Sequence, residues 1–332
     1  MGPDSWINMY NAKQYIYIIA TVSAALISCG CAPVSAWSNG GYSSDSGDVS
    51  YGTHDWIAEH ALDFLPANEK QYIDDNLNWY LYGTELPDNP RPEDGIGDTA
   101  RHHVYFYQNG SLMDDVSAVR AQEIYNDTLA LLKAGDRMNA SKHAGIMTHY
   151  IADVAVFGHV MGAKTDWGAE VHHSDYEGYV QRRTDGYVSE AFDPYIRFDG
   201  SLDEVTAYYA TVLVANDTTF DADSEGRGCA WMDSHYNWSD PGFMDECGES
   251  LNLAVNAVAD VLHALYNEAC NDQRGDLNRD GQITAADALL ALRMAASGEY
   301  NDDADMNRDG SVTSLDALMI LQDAEHRHTG IG

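Results

Sequence analysis

Basic residues are scarce in this sequence. Lys and Arg number 18 among 332 residues, against 53 Asp and Glu, which gives a formal net charge of −35. Such a chain repels nucleic-acid phosphates at long range, so the charge argues against a broad nucleic-acid-binding face. Hydrophobic residues make up 45% of the chain and aromatic residues 11%, which excludes wholesale disorder and permits one large domain and one small one.

Long apolar runs are also missing. Residues 15–27 form an uncharged run that is too short to span a bilayer and has the length of a signal-peptide core. We therefore expect residues 1–36 to be a signal peptide, cleaved after Ala36, and the mature chain to have no transmembrane segment. A lipobox-like sequence ending at Cys29 is the alternative, and it would place a lipid on that cysteine. Both readings predict a secreted or cell-surface protein.

Cysteine is limited to five residues, and only Cys229, Cys247 and Cys270 lie beyond the predicted cleavage site. Export permits a disulfide, and Cys229 and Cys247 are the closest pair in sequence. The odd number leaves the pairing open.

Apolar residues recur at helical spacing between residues 37 and 270, without a comparable series of strand-like alternations. The pattern predicts an all-α main domain over 37–270. The predicted helices are 54–64, 118–132, 140–157, 175–182, 201–214 and 250–269. A Gly/Ser-rich stretch, 38–52, predicts an extended arm, and a Gly/Pro-rich stretch, 81–99, predicts a long loop.

The C-terminal segment contains an internal repeat: residues 276–287 recur 29 positions later as residues 305–316. Each copy offers oxygen ligands at positions 1, 3 and 5, a glycine at position 6 and a carboxylate at position 12, which is the pattern of a calcium loop. Two calcium ions are therefore predicted. The predicted ligands are Asp276, Asn278, Asp280, Gln282 and Asp287 in the first loop and Asp305, Asn307, Asp309, Ser311 and Asp316 in the second.

Each loop leads directly into an apolar helix, and no entering helix is evident. This arrangement resembles dockerin modules, which bind calcium and dock onto cohesin domains. The resemblance implies a dockerin-like domain over 271–332 with a cohesin-type partner. Loop positions 10 and 11, here Ala285-Ala286 and Ser314-Leu315, differ from the Ser-Thr of many cellulosomal dockerins, so the class of partner stays open.

Two histidine–carboxylate pairs in the main domain have metal-ligand spacing. His149 and Asp153 are spaced i, i+4, which places both side chains on one helix face, about 5 to 6 Å apart at Cβ. His173 and Glu177 repeat this spacing. His159 lies about 120° around an ideal helix from Asp153, so it is predicted to join the second pair. The pattern predicts two adjacent zinc sites.

These residues resemble the core motif of the zinc-dependent phospholipases C, relatives of the P1/S1 nucleases. The segment 53–57, which contains His54, is similar to the first histidine motif of that family, and Pro87-Asp88 to its catalytic aspartate. His102-His103 is similar to the second histidine motif. Either histidine of this pair is a candidate ligand, and the aromatic residues that follow favour His103.

The resemblance implies three zinc ions. The first would be held by His103, His149 and Asp153, the second by His159, His173 and Glu177, and the third by Trp37, His54 and Asp153. Trp37 would contribute its α-amino group and carbonyl oxygen, and only cleavage before this residue frees that amine.

Phosphodiester hydrolysis is the activity that such a zinc cluster suits. The resemblance implies a phospholipase C that cleaves the glycerol-side phosphate ester of phospholipids. Asp88 would orient or deprotonate the attacking water, or would bind zinc as in the nuclease branch. The alternatives are a P1/S1-like single-strand nuclease and a non-catalytic zinc protein whose role is docking to a scaffold.

Overall fold

The computed structural model of the protein describes residues 37, 39–221, 226–278 and 282–329. The predicted signal peptide, with Cys29, lies outside the described residues, and so does Asp280 of the first calcium loop. Helices and one two-stranded hairpin make up the regular structure of the described part, so the prediction of an all-α fold is confirmed.

The first helices of the described part carry or surround the predicted zinc ligands. They are α1 (Thr53–Asp63), α2 (Ala67–Asp74), α3 (Leu77–Glu85), α4 (Val116–Lys133), α5 (Arg137–Asp153), α6 (Phe157–Val160) and α7 (His173–Gln181). The later helices are α8 (Ala207–Phe220), α9 (Cys229–Ser234), α10 (Pro241–Gln273), α11 (Ala285–Ser297) and α12 (Ser314–Thr329). The antiparallel hairpin pairs β1 (Tyr105–Phe106) with β2 (Leu112–Asp114).

Helix α5 is the central element of the main domain and packs against α3 and α4. It approaches α3 through backbone rather than side chains. A Cβ on Gly83 would lie 2.1 Å from the Lys142 carbonyl oxygen, and a Cβ on Gly145 would lie 2.0 Å from the Tyr80 carbonyl oxygen. Only glycine fits at both positions, so the end of α3 is held directly against α5.

Several sequence predictions were wrong in extent, including the helix predicted over 250–269, which spans Pro241–Gln273. The predicted loop 81–99 begins later than expected, because α3 continues to Glu85. The helix predicted over 201–214 spans 207–220 instead. Its expected first turn is not helical, and Asp203 N donates to Asp260 Oδ1 at 2.9 Å, which ties the segment to α10. Thr206 then caps the helix by accepting from Tyr209 N.

The helix predicted over 140–157 ends at Asp153 and resumes as α6 at Phe157. Val156, between them, has extended backbone angles. This break turns the chain between Asp153 and His159, so the two residues do not share one helix.

Two apolar cores lie in the described part. The larger contains buried aromatic residues such as Trp56, Tyr80 and Phe243, and the smaller, between residues 277 and 324, contains Ile283 and Ile320. Cys229, Cys247 and Cys270 are free thiols, and burial raises the pKa of Cys229 and of Cys247 to about 12. No helix of the described part is both long and apolar enough to cross a membrane.

Candidate metal centre

The last turn of α5 carries His149 and Asp153, which are fully buried. His149 Nε2 lies 3.1 Å from Asp153 Oδ2, as the i, i+4 spacing predicts. His149 Nδ1 donates to the Thr84 carbonyl oxygen at 2.6 Å. Because a carbonyl can only accept, Nδ1 carries a proton, and Nε2 is the nitrogen that faces the carboxylate.

Two further histidines approach Asp153 from other elements. His54, in the first turn of α1, places Nε2 3.1 Å from Asp153 Oδ1. His102 places Nδ1 3.0 Å from Asp153 Oδ2. Both Asp153 oxygens are buried, and neither has a hydrogen-bond partner in the described part of the chain. A buried carboxylate that is ringed by imidazole nitrogens and lacks hydrogen bonds has the surroundings of a cation ligand.

The structure places His102 beside Asp153, whereas the sequence prediction favoured His103 of this pair as the ligand. His103 is half-buried, stacks on Tyr105 with ring centroids 4.2 Å apart, and has Nε2 3.3 Å from Asp114 Oδ2. Its ring therefore belongs to the hairpin, whereas the ring of His102 faces α5. His102 and His103 follow a short 3-10 helix, Thr99–Arg101, and their side chains point in different directions, so only one of them reaches the centre.

A carboxylate lies behind His102, and a tyrosine orients that carboxylate. Asp98 Oδ1 lies 3.7 Å from His102 Nε2 and accepts a 2.6 Å hydrogen bond from the Tyr150 hydroxyl. Arg120 Nε lies 3.3 Å from Asp98 Oδ2. A carboxylate behind a histidine is the usual arrangement around a metal-binding imidazole. The Asp98–His102 spacing of four residues is the signal in the sequence that distinguishes His102 from His103.

A second group combines His159 of α6 with His173 and Glu177 of α7. His173 Nε2 lies 2.7 Å from Glu177 Oε1 and 3.2 Å from His159 Nε2, while His159 Nε2 lies 3.5 Å from the same Glu177 oxygen. All three are buried. Gly158 makes room for this packing, because a Cβ there would lie 2.4 Å from the His173 ring.

Asp88 lies close to the first group, which is formed by His54, His102, His149 and Asp153. It is buried, and its Oδ1 lies 3.4 Å from His102 Nδ1. Asp88, His102 and His149 bring their ligand atoms within 4.8 Å of one another, as do His54, His149 and Asp153. The ring centroids of His102 and His159 are 6.4 Å apart, so the two groups are adjacent.

The charges in the centre are strongly coupled. Burial opposes protonation of His102, but Asp153 outweighs it and raises the His102 pKa to about 10. Burial also opposes protonation of His173, but the nearby Glu177 outweighs it and raises the His173 pKa to about 10. Burial, helped by the neighbouring His149, lowers the pKa of His54 to about 3. Burial also raises the pKa of Asp88. These shifts show a buried site with several carboxylates and imidazoles in mutual contact.

The donor set fits zinc. Imidazole nitrogens and carboxylate oxygens are common zinc ligands, and two groups of three such ligands with buried, unpaired oxygens between them suit neighbouring divalent ions. The assignment of each side chain to an ion stays a prediction.

Comparison with protein families agrees with this geometry. Residues 53–217 match the model of the zinc dependent phospholipase C family, and residues 274–323 match that of the dockerin type I domain. Residues 53–217 are therefore similar to the zinc-dependent phospholipases C. No curated protein sequence matches the chain.

Two solved structures resemble this chain at low identity. Alpha toxin from Clostridium absonum has a TM-score of 0.43 and 15% identity, with 69% of this chain and 66% of that chain covered. Alpha-toxin from an avian strain of Clostridium perfringens has a TM-score of 0.45 and 14% identity, with 69% of this chain and 65% of that chain covered. The chain thus spans slightly less than two thirds of either toxin.

Trp37 lies next to the first group of this family domain. Its indole is buried, donates from Nε1 to the Ala152 carbonyl oxygen at 3.0 Å, and packs on Tyr176. Ala152 directly precedes Asp153, so the residue predicted to follow the cleavage site lies beside the Asp153 carboxylate. The role of its amine as a ligand stays a prediction.

The two loops of the dockerin domain are built alike. Asp287 Oδ1 accepts from the backbone N of Leu277 and of Asn278, both at 3.0 Å, while its Oδ2 accepts from Thr284. Asp316 repeats this arrangement with Asn307 N and Thr313. Both carboxylates are fully buried and join the loop to the first turn of the following helix.

The remaining predicted calcium ligands lie along the same loops. Asp305 is buried, and it accepts from Asp309 N at 3.2 Å and from Gly310 N at 2.8 Å. Asn307 Nδ2 donates to Asp309 Oδ2 at 2.9 Å, and Asp309 accepts from Ser311 N. In the first loop, Asp276 is buried, and Asn278 and Gln282 flank the undescribed segment that contains Asp280.

Proposed function

We propose that the protein is a secreted phospholipase C that hydrolyses the glycerol-side phosphate ester of phospholipids and attaches to a cohesin-type partner through its C-terminal domain. The observation that carries the proposal is the convergence of His54, His102 and His149 on both oxygens of buried Asp153. Asp88 Oδ1 lies 3.4 Å from His102 Nδ1 and adds a second carboxylate beside these ligands.

The proposed zinc ligands fall into three sets. His102, His149 and Asp153 hold one ion, His159, His173 and Glu177 a second, and Trp37, His54 and Asp153 a third, with His102 replacing the expected His103. Zinc bound at these residues lowers the pKa of water and neutralises charge on the phosphoryl oxygens.

Asp88 is assigned the proton transfer. Its Oδ1 takes a proton from the attacking water, whose oxygen adds to phosphorus opposite the leaving group. The bond between phosphorus and the glycerol oxygen breaks, and the alkoxide takes a proton from solvent. The products are a diacylglycerol, or an ether-lipid equivalent, and a phosphorylated headgroup. Burial raises the Asp88 pKa, which makes this carboxylate a stronger base than an exposed aspartate.

The proposed domain boundaries are 1–36 for the signal peptide, 37–270 for the catalytic domain and 271–332 for the dockerin domain. In the dockerin domain the ten predicted side chains hold two calcium ions. Calcium binding orders both loops for the cohesin-type partner.

The net charge favours a phospholipid substrate. The zwitterionic headgroup of a phospholipid suits an acidic protein better than a polynucleotide does.

The test uses the mature chain, beginning at Trp37, with phosphatidylcholine micelles and with single-stranded DNA. We expect mass spectrometry to detect phosphocholine and diacylglycerol, with the DNA intact. Cleavage of DNA alone would establish the nuclease alternative. A zinc-loaded protein that cleaves neither would be the non-catalytic alternative.

Two variants serve as controls in this test. D88N is expected to lose hydrolysis about 100-fold or more while it keeps its zinc. D175N changes an exposed carboxylate on α7, between the ligands His173 and Glu177, and is expected to behave as the unmodified protein. Zinc loss in D88N would make Asp88 a ligand instead of a proton acceptor.

A further inference from the structure

The arm that precedes α1 is fixed to the end of α3 by a buried carboxylate. Ser43 donates to Glu85 from its backbone N at 3.0 Å and from its hydroxyl at 2.9 Å. Asn89 Nδ2 donates to the Ser43 carbonyl oxygen at 3.0 Å. All three residues are buried. Glu85 and Asn89 flank Asp88 in sequence, so these bonds hold the arm against the segment that carries Asp88.

Asn39, four residues earlier in the arm, contacts Asp88 directly. Asn39 Nδ2 donates to Asp88 Oδ2 at 3.1 Å, and both side chains are less than 5% exposed. The other oxygen of Asp88, Oδ1, is on the side of His102, 3.4 Å from Nδ1. The Asn39 amide therefore hydrogen-bonds Oδ2 of Asp88, while Oδ1 faces the metal centre.

The contact is not explained by stability alone. Asn39 Oδ1 is buried and has no hydrogen-bond partner in the described part of the chain. A buried amide oxygen without a donor costs free energy, so a side chain that served only the fold would be better replaced by an apolar one. The feature that Asn39 supplies and an apolar side chain cannot is the donor to Asp88.

We propose that Asn39 is a positioning residue that holds the Asp88 carboxylate with Oδ1 facing the attacking water. The inference rests on the proposed role of Asp88 as proton acceptor. Without the donor, the carboxylate can rotate about its terminal torsion, whose preferred angles are broadly distributed. A hydrogen bond to a charged group of this kind corresponds to about a 10- to 100-fold effect on kcat.

A double-mutant cycle tests this role in the zinc-loaded mature protein, with p-nitrophenyl phosphocholine as soluble substrate. N39A is expected to lower kcat about 10- to 100-fold, with KM, zinc content and Tm close to those of the unmodified protein. In the D88N background the same change is expected to lower kcat less than about twofold, because the carboxylate that it positions is gone. N39L, which keeps the approximate shape without the donor, is expected to match N39A.

N78A is the matched control, because Asn78 Nδ2 donates to the carbonyl of Ser46 in the same arm at 3.2 Å and is exposed. It is expected to keep full activity. An equal loss of kcat from N39A in both backgrounds would overturn the proposal, and so would zinc loss in N39A and N39L.

Crystal structures of the zinc-loaded unmodified protein and N39A give a second readout that does not depend on turnover. One orientation of the Asp88 carboxylate is expected in the unmodified protein and a rotated or multiple orientation in N39A. If the unmodified protein cleaves no phosphodiester, the proposed function fails, and these structures still decide the positioning role. An unchanged Asp88 in N39A would contradict it.

Discussion

The carbonyl oxygen of Thr84 accepts a 2.6 Å hydrogen bond from Nδ1 of His149, which joins the end of α3 to the last turn of α5. The Thr84 hydroxyl in turn donates to Oδ1 of buried Asp55 in α1 at 2.9 Å. Three helices thus fix the orientation of one imidazole. The bond requires that α3 and α5 touch through their backbones, which Gly83 and Gly145 permit.

G83A is expected to damage the metal centre from outside it. The added Cβ would lie 2.1 Å from the Lys142 carbonyl oxygen, so α3 must move away from α5 and carry Thr84 from His149. We expect a loss of about 1 to 3 kcal/mol in the free energy of unfolding and weaker zinc binding, measured by calorimetry and by zinc titration. G178A is the control, since its Cβ would meet only the Arg182 side chain at 3.5 Å. Equal stability of both variants would contradict the packing argument.

The sequence predicted those parts of the site that depend on a single helix. His149 with Asp153, and His173 with Glu177, are adjacent because residues four apart on a helix share a face. Contacts between distant segments carry no such signal. Thr84 to His149 and Asn39 to Asp88 depend on how α3, α5 and the arm pack, and neither was predicted.

The same distinction explains where the structure differs from the sequence predictions. The choice between His102 and His103 depends on which ring faces α5, and a local aromatic pattern does not determine that. The late start of α8 depends on a bond from Asp203 to Asp260, 57 residues away. The extension of α3 through Gly83 was missed because this glycine serves helix packing, not a turn.

Substitution of His102 and of His103 is expected to have different effects. H102A removes a ring that lies 3.0 Å from Asp153, so we expect the loss of about one zinc ion per chain and at least ~100-fold lower activity. H103A removes a ring that contacts only Tyr105 and Asp114 among the described contacts, so zinc content is expected to be unchanged. Elemental analysis of the purified variants measures the difference. The reverse result would restore His103 as the ligand.

Substitution of Glu246, on α10, is expected to raise stability by an amount that depends on pH. Burial, with repulsion from Asp221 and Glu249, raises its pKa from 4.5 to about 8. The folded state therefore holds a proton that the unfolded chain releases at lower pH, and stability is lost as the pH rises from 4.5 through 8. E246Q stays neutral, so we expect its Tm to exceed that of the unmodified protein by about 2 to 4 °C at pH 9, after allowance for solvent screening, and by less at pH 5.

The control for this pH dependence is E190Q, which changes an exposed carboxylate. Its Tm difference from the unmodified protein is expected to be the same at both pH values. Thermal scans of each variant and of the unmodified protein at pH 5 and pH 9 give these Tm differences. A Tm gain for E246Q that is larger at pH 5 than at pH 9 would show that the sign is wrong.

Calcium is expected to control the order of the C-terminal domain. Asp316 closes the second loop by accepting from Asn307 N at 3.3 Å and from Thr313 N at 2.8 Å, and the Asp305 carboxylate is buried in the same loop. Without a cation, the carboxylates of this loop repel one another. We expect D316A to reduce the calcium stoichiometry from two to one in a calorimetric titration. E299Q, an exposed change between the loops, is expected to bind two.

Limited proteolysis of the full mature chain gives an independent measurement of the same effect. In the unmodified protein, chelation of calcium is expected to expose residues 276–329 to cleavage, because the small core around Ile283 and Ile320 offers few apolar contacts once the loops loosen. In D316A, cleavage is expected near residues 305–316 even with calcium present, while the first loop stays protected. A cleavage pattern that does not respond to chelation would mean that hydrogen bonds such as those of Asp316, and not calcium, hold both loops.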